Sequence, residues 1–364
     1  MWLSAEQSNS SLIVDDAVML KIFRRISPGR HPEAEMSRYL TARGFANSPP
    51  MLGEILRIAA DGERCSLAVA QGFVRNQGDG WAWTLDRFNR AIDDLTTKQA
   101  SADARADDIA DYETIAAAIG QRLGEMHAVL AKLSDDEAFS PAAATTVDVE
   151  AWIERAEGLL EQALAALDKR KFRDDEGATA QANQLLSRRD QIAPALRRLA
   201  RSGAGSPVTR IHGDFHLGQV LVASGDVYII DFEGEPARPL AERRGKASPL
   251  RDVAGLIRSL DYAAAATLAP NNVTAAAVSD EARRAFVMRL RDSATAAFLK
   301  AYRAAVDDLP GLTNDDLLDF FLIEKAAYEV AYEAANRPAW LPIPLHGLST
   351  LVDRVLRPAP RRDS

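Results

Sequence analysis

The stretch from Ile211 to Pro236 constrains the fold of this 364-residue chain more than any other segment. It contains two short runs rich in β-branched residues, 220–222 and 227–230, separated by the turn-forming residues Ala-Ser-Gly-Asp. This pattern predicts a β-hairpin. Because antiparallel pairing brings the outer ends of a hairpin together, we expect Gln219 and Asp231 to lie side by side.

The polar residues of this segment suit phosphoryl transfer. That reaction needs a carboxylate that orients the attacking hydroxyl and accepts its proton, and oxygen ligands that hold Mg²⁺ on the phosphates of ATP. Asp214 is predicted to be the catalytic carboxylate; Gln219, Asp231 and Glu233 are the predicted metal ligands. Their spacing follows the protein-kinase pattern H-R-D-x-x-x-x-N and D-F-G, with Gly for Arg and Gln for Asn. The alternative is a surface hairpin whose loop acids act as caps.

The remaining sequence predicts a β-rich region followed by a helical region, an α+β class with two lobes. Residues 1–75 are expected to form a small nucleotide-binding lobe and residues 76–364 a larger, mostly helical lobe that contains the hairpin. ATP is expected in the cleft between the two lobes. Strands are predicted at 11–14, 18–23, 52–58 and 66–73, and helices at 32–43, 112–133, 148–168, 180–201, 250–267, 280–306 and 314–336.

Charge and cysteine content narrow the class of protein. A net charge of −8 argues against a general nucleic-acid-binding protein. The single cysteine, Cys65, excludes an intramolecular disulfide bond and fits a reducing, cytoplasmic location. No signal peptide is evident, and no apolar run reaches the roughly 18 residues that would suggest a membrane span.

Four sequence blocks resemble the maltokinases, in the aminoglycoside-phosphotransferase-like branch of the protein-kinase-like fold. They are SAEQSNSSLI with MLKIFRR, LAVAQGFVRNQGDGW, HGDFHLGQ with IDFEGEP, and KAAYEVAYEAANRPAWLPIPL. Maltokinases occur alone or fused behind trehalose synthase. The resemblance implies phosphorylation of maltose at its anomeric hydroxyl by ATP and Mg²⁺, which gives α-maltose 1-phosphate for α-glucan synthesis. It also implies trehalose synthase as a partner or fused domain.

The N-terminal blocks supply the expected ATP contacts. The polar residues expected to cover the phosphates are Gln7, Ser8, Asn9 and Ser10, although a plain hairpin turn is an equal reading of these residues alone. Lys21 is expected to hold the α- and β-phosphates in a pair with Glu35, and Glu33 is the competing partner on the same helix. The backbone around Gln71 and Phe73 is expected to form the hinge that binds adenine.

The block at 324–346 combines aromatic rings with charged groups, as sugar-binding sites do. Tyr328 and Tyr332 are four residues apart and share one face of a helix. The alternative is an amphipathic helix whose tyrosine rings pack in the core. The residues expected to bind the acceptor are His216, Glu324, Lys325, Tyr328, Tyr332, Arg337 and Trp340.

Other readings stay open. The nearest alternative is another sugar or amino-sugar kinase of the same fold, such as a glucosamine kinase, in which only the acceptor differs. A non-catalytic pseudokinase module is a further alternative, against which the intact Lys21, Asp214, Gln219 and Asp231 argue. Many maltokinases carry an N-terminal cap ahead of the SAEQSN motif. Since this chain begins at that motif, we expect its nucleotide lobe to be less stable than one that a cap supports.

Overall fold

A computed structural model describes residues 9–97, 102–170, 172, 175–236, 238–269 and 279–357. The described residues form a small antiparallel sheet with one helix and a larger helical part, which confirms the predicted two-lobed α+β fold. The strands are β1 (Asn9–Val14), β2 (Val18–Phe23), β3 (Met51–Ile58), β4 (Arg64–Gly72), β5 (Ala142–Ala143), β6 (Pro207–Val208), β7 (Val220–Ala223) and β8 (Asp226–Ile229). The helices are α1 (Pro32–Ala42), α2 (Gly80–Thr97), α3 (Ala102–Leu130), α4 (Thr146–Asp168), α5 (Glu176–Ser187), α6 (Arg189–Arg201), α7 (Leu240–Arg243), α8 (Leu250–Thr267), α9 (Asp280–Ala305), α10 (Asp315–Asn336) and α11 (Pro342–Leu356).

The small lobe is built on the strand order β1-β2-β4-β3 with α1 packed on one face. Phe23 and Val69 point to that face and pack against Ala34 of α1. Lys21 lies two residues before Phe23 and opposite Val69 in the ladder, so its side chain leaves the sheet on the same face. The alternation of the strand therefore places the lysine beneath α1. The proposed lobe boundary at residue 75 stays a prediction.

The predicted hairpin is confirmed. Strands β7 and β8 pair from Val220↔Ile229 to Ala223↔Asp226, which leaves a two-residue turn. Both turn residues, Ser224 and Gly225, have positive φ angles of 52° and 79°. Such a turn matches the right-handed twist of the two strands and fixes their register.

Each predicted helix has a counterpart in the structure, while α2, α7 and α11 are absent from the predictions. Helix α11 begins with a Pro-Ile-Pro sequence, which hides its helical character; proline is tolerated there because the first N–H groups of a helix have no partner within it. The helix predicted at 180–201 is two helices that meet at Arg188. No helix in the described part of the chain is both long and apolar enough to cross a membrane.

We predict that Gly120→Ala destabilises the protein. A methyl group at Gly120 in α3 would lie 2.1 Å from the carbonyl oxygen of Phe298 in α9, so the two helices would have to move apart. The free energy of unfolding should fall by roughly 1–3 kcal/mol, as measured by chemical denaturation. The control is Gly158→Ala in α4, where nothing lies within 4 Å. It should stabilise the protein by about 0.5–1 kcal/mol through helix propensity. Equal effects of the two substitutions would contradict the close packing of α3 on α9.

Candidate active site

The loop that carries Asp214 is held by one buried carboxylate, Asp252, in the first turn of α8. Its Oδ2 accepts a hydrogen bond of 2.8 Å from the backbone N–H of His212, and its Oδ1 accepts one of 2.9 Å from Gly213. Gly213 has a φ of +84°, a conformation that favours glycine. The two bonds therefore fix the backbone immediately before Asp214.

Asp252 is itself oriented by a histidine. His127 in α3 places its Nε2 3.1 Å from Asp252 Oδ2 and its Nδ1 3.0 Å from the hydroxyl of Tyr302 in α9. Burial alone would raise the pKa of Asp252, but the hydrogen bonds and charge of its neighbours hold that pKa below its usual range. His127 is thus a hydrogen-bonded core residue, and Asp252 stays ionised at neutral pH.

The loop is also joined to the end of the hairpin. His212 Nε2 lies 2.8 Å from the carbonyl oxygen of Ile230, and the backbone N–H of Ile230 donates to the carbonyl of Gln219 at 3.0 Å. Asp231 follows with a φ of +68°. These contacts bring the Asp214 loop to the end of the hairpin where Gln219 and Asp231 lie side by side, as the strand pairing predicts for those two residues.

Gln219 and Asp231 lie at the paired ends of the hairpin, and against the effect of burial Gln219 helps Lys21 to hold the pKa of Asp231 below its usual range. Amide and carboxylate oxygens are the ligands that a hard divalent cation takes, so these two residues fit the predicted Mg²⁺ site. The carboxylate of Glu233 instead accepts a hydrogen bond from Asn9 of β1, and its pKa is raised by burial and by Asp231. The described residues contain no cluster of three or more His, Cys, Asp or Glu with metal-binding geometry.

Lys21 connects the small lobe to this site. Its ammonium group donates to Asp231 and lies 3.5 Å from Glu33. Burial disfavours its charged form, but the carboxylates of Glu33, Asp231 and Glu233 outweigh burial and raise the pKa of Lys21. The lysine is therefore positively charged where phosphate oxygens are expected.

The predicted pairing of Lys21 with Glu35 is wrong. The partner of Lys21 on α1 is Glu33, while Glu35 bonds to Arg210 and Arg244 of the larger lobe. The two glutamates are two residues apart on the helix, so their side chains point in directions about 160° apart. Only one of them can therefore face the lysine.

Several of the other residues predicted to contact ATP form hydrogen bonds within the protein. Gln7 and Ser8 lie outside the described residues, and Ser10 accepts a hydrogen bond from Arg24 at 3.0 Å. The buried Gln71 side chain donates to Glu33 at 2.7 Å and to Ser37 at 2.8 Å. The backbone N–H of Phe73 donates to Ala17 at 2.9 Å, so this hinge amide is satisfied by the protein itself.

A pocket opens beside Asp214 on the side of the helical lobe. Three of the predicted acceptor residues, Glu324, Lys325 and Tyr328, line it. The ammonium of Lys325 lies 5.3 Å from the centre of the Tyr328 ring, and burial together with the nearby charge of Glu235 raises the pKa of Tyr328. The other lining residues are Leu159, Gly213, Phe215, Glu235, Arg238, Arg251, Asp252, Gly255 and Phe321.

Sequence reasoning missed the charged partners of two pocket residues, Glu324 and Glu235. Arg155 of α4 binds Glu324 through two hydrogen bonds of 2.9 and 3.1 Å, and Arg251 approaches Glu324 to 3.7 Å. Burial lowers the pKa of Arg251 to about 10, so it remains a cation at neutral pH. Glu235 bonds Arg238 at 2.7 Å. The only sequence signal here is the unusual Glu-Gly-Glu-Pro after Asp231-Phe232, which contains Glu235 but not Arg238.

The structure does not bring the rest of the predicted acceptor block to this pocket. Arg337 bonds Glu333 at 2.6 and 3.0 Å and stacks over Tyr332 and Trp340, which forms a separate cluster. Along α10, Arg337 is nine residues beyond Tyr328, or roughly 13 Å at the rise of an α-helix. His216 faces Gln219 instead, with its Nε2 3.3 Å from Gln219 Nε2.

Comparison with known proteins identifies relatives along most of the chain. A family model described as the phosphotransferase enzyme family matches residues 3–287. A glucosamine kinase of Mycolicibacterium smegmatis is 28% identical over 355 residues, with 96% of this chain and 79% of that protein covered. One of Streptacidiphilus jiangxiensis is 30% identical over 363 residues, with 97% and 73% covered.

Solved structures give the same picture. A crystal structure of a glucosamine kinase superposes with a TM-score of 0.75 at 26% identity, with 95% of this chain and 76% of that chain covered. A glucosamine kinase in complex with glucosamine, ADP and inorganic phosphate gives a TM-score of 0.73 at 26% identity, with 94% and 74% covered.

We predict that Asp252→Asn lowers turnover about 10- to 100-fold, because misplacing a catalytic loop by about 1 Å has effects of this size. An amide has one acceptor oxygen and cannot hold both backbone N–H groups. The free energy of unfolding should fall by roughly 1–3 kcal/mol. The folded-state pKa of Asp252 lies below 3.8, so its stabilisation is complete above that pH and is lost only as the pH falls through the lower value. Denaturation at pH 7 and pH 5 should therefore show the same deficit, and a deficit that already shrinks at pH 5 would contradict the assignment.

Proposed function

The chain belongs to the phosphotransferase enzyme family, and on that premise we propose that it is an ATP-dependent sugar kinase whose acceptor is an amino sugar of the glucosamine class. Two relatives named glucosamine kinase align with nearly the whole chain, and a related solved structure contains glucosamine with ADP and phosphate. These names support the alternative that the sequence left open. Neither the maltose acceptor nor an association with trehalose synthase draws support from these relatives. The cytoplasmic location stays a prediction.

The observation that carries the proposal is the charged pocket beside Asp214. An amino sugar presents an ammonium group, which needs carboxylate acceptors, and hydroxyls, which can accept from cationic donors. Glu235 supplies a carboxylate on the pocket wall, while Arg251 and Lys325 supply donors. The Tyr328 ring adds an aromatic face. The pocket thus offers both kinds of partner within reach of the same carboxylate, Asp214.

The geometry supports direct transfer to an acceptor hydroxyl. Asp214 would orient that hydroxyl and accept its proton, from a backbone that Asp252 holds in place. Lys21 would hold phosphate oxygens from the small lobe, exchanging its bond to Asp231 for bonds to ATP. Because Lys21, Asp214, Gln219 and Asp231 are all present and converge, a non-catalytic pseudokinase is disfavoured.

The residues at the hairpin end fit a divalent cation. Gln219 and Asp231 would hold Mg²⁺, which when bound offsets the negative charge of the phosphates. Asp231 has its pKa held low by Lys21 against the effect of burial, so its carboxylate is ionised and able to act as a ligand at neutral pH. Glu233 would contribute indirectly, since its side chain is bonded to Asn9.

The acceptor is tested with a panel of sugars. With ATP and Mg²⁺, we expect phosphate transfer to glucosamine with a kcat/KM about tenfold or more above that for glucose, because buried polar partners left unpaired disfavour the analogue. N-acetylglucosamine, which lacks the ammonium charge, is the second matched control. Maltose, trehalose and maltotriose complete the panel, and NMR identifies the product. Transfer to maltose without transfer to glucosamine would overturn the acceptor assignment and leave the catalytic one intact.

The role of Asp214 is tested by Asp214→Asn. Loss of the proton acceptor should lower kcat by about 10²–10⁴-fold, while the free energy of unfolding and the affinity for ADP stay close to wild type. Asp307→Asn, at an exposed position after α9, is the matched control and should keep full turnover. Near-normal turnover of Asp214→Asn would remove Asp214 from the mechanism.

A further inference from the structure

Glu35 in α1 links the small lobe to two arginines of the helical lobe. Its Oε2 accepts hydrogen bonds from Arg210 Nη1 at 3.1 Å and from Arg244 Nε at 2.9 Å. Its Oε1 accepts from Arg244 Nη2 at 2.7 Å. The paired bonds to Arg244 have the bidentate geometry that makes arginine–carboxylate contacts strong and directional.

Arg210 depends on this carboxylate. Its side chain is 1% exposed and its guanidinium carbon lies 4.9 Å from the centre of the Phe139 ring. Among the described residues, Glu35 is the carboxylate within ion-pair distance of it. A buried cation that loses its counterion is strongly destabilised, so the position of Arg210 is tied to that of Glu35.

The two arginines lie at the base of the catalytic segments. Arg210 directly precedes the loop of His212 and Asp214, and Arg244 follows α7 in the segment after Glu233. These segments are joined by two backbone hydrogen bonds between Thr209 and Ala247, of 3.0 and 2.8 Å. Through Arg210 and Arg244, Glu35 therefore binds both segments close to the Thr209–Ala247 hydrogen bonds that join them.

The same helix reaches the phosphate side of the cleft through Glu33. Glu33 lies 3.5 Å from the ammonium of Lys21 and accepts a hydrogen bond of 2.7 Å from Gln71. Helix α1 thus carries one carboxylate toward Lys21 and another toward the base of the Asp214 loop. Since the helix is a rigid element, a displacement that breaks one contact alters the other.

We propose that Glu35 is a positioning residue: through Arg210 and Arg244 it holds α1 against the catalytic segments and so aligns Lys21 with Asp214. The inference rests on the phosphotransfer chemistry of the family and is independent of which sugar is the acceptor. Glu35 touches neither Lys21 nor the acceptor pocket, and its effect should therefore fall on the alignment of the two lobes and not on ligand affinity.

Steady-state kinetics of Glu35→Gln and Arg244→Gln test the proposal. Each should lower kcat per folded molecule about 10- to 100-fold, the effect of a small misplacement of reacting groups. The acceptor KM and the Kd for ADP should change by less than about threefold, because uniform binding is preserved. The control is Glu54→Gln, which weakens the ion pair with Arg38 on the same helix. The contacts recorded for Glu54 within the described part of the chain, to Arg38 and Ser66, lie inside the small lobe, so kcat should stay within about twofold.

A double variant and hydrogen exchange separate positioning from mere stability. The double variant Glu35→Gln with Arg244→Gln should have a kcat no lower than that of the worse single variant, because both substitutions disrupt the same Glu35–Arg244 ion pair. Backbone amides at 209–213 and 238–247 should exchange faster in Glu35→Gln than in Glu54→Gln, a result that needs no turnover. Should Glu35→Gln fail to fold, the partly exposed Arg244→Gln carries the test.

Two results would overturn the proposal. One is a lowered melting temperature with unchanged kcat in the folded single variants, which would make the link purely structural. The other is unchanged exchange in both segments. If no sugar of the panel is phosphorylated, only the proposed acceptor fails, and the exchange experiment together with ATP hydrolysis still decides the role of Glu35.

Discussion

The buried carboxylate of Asp252 is the interaction on which the site depends. It accepts hydrogen bonds from the His212 and Gly213 backbones and a third contact from His127, so three parts of the chain meet at one ionised group. A buried charge is tolerated only when it is hydrogen-bonded, and here two of those bonds come from the backbone of the Asp214 loop. The loop that presents Asp214 is therefore held in place, because moving it away would leave the buried Asp252 carboxylate without two of its hydrogen-bond donors.

The hairpin and α1 build the rest of the site around that loop. The tight turn of the hairpin fixes its register, which brings Gln219 and Asp231 together, and the alternation of β2 directs Lys21 toward Asp231. Helix α1 then contributes two carboxylates with opposite directions, one to each lobe. Lys21, Asp231 and Glu33 are thus held together where the small lobe meets the hairpin.

The sequence was most informative where spacing is local. The hairpin, the convergence of Gln219 with Asp231 and the direction of Lys21 follow from periods of two residues and from turn chemistry. The sequence was least informative where one face of a helix had to be chosen. Glu33 and Glu35 both lie in the first turn of α1, and the local sequence does not indicate which of them faces Lys21. Of the predicted acceptor block, Glu324, Lys325 and Tyr328 line the pocket beside Asp214, whereas the length of α10 carries Arg337 and Trp340 away from it; the binding roles stay predictions.

The sequence by itself determined the two-lobed α+β class, the hairpin and the carboxylate–amide–carboxylate spacing, since these depend on neighbours within a few residues. Tertiary structure decided the partners of the buried charges: Asp252 with the loop, Glu35 with Arg210 and Arg244, and Glu324 with Arg155. The sequence separation within these pairs runs from 39 to 209 residues. The physical reason is that a buried charge must be matched by whichever opposite charge or donor the packing brings within about 3 Å.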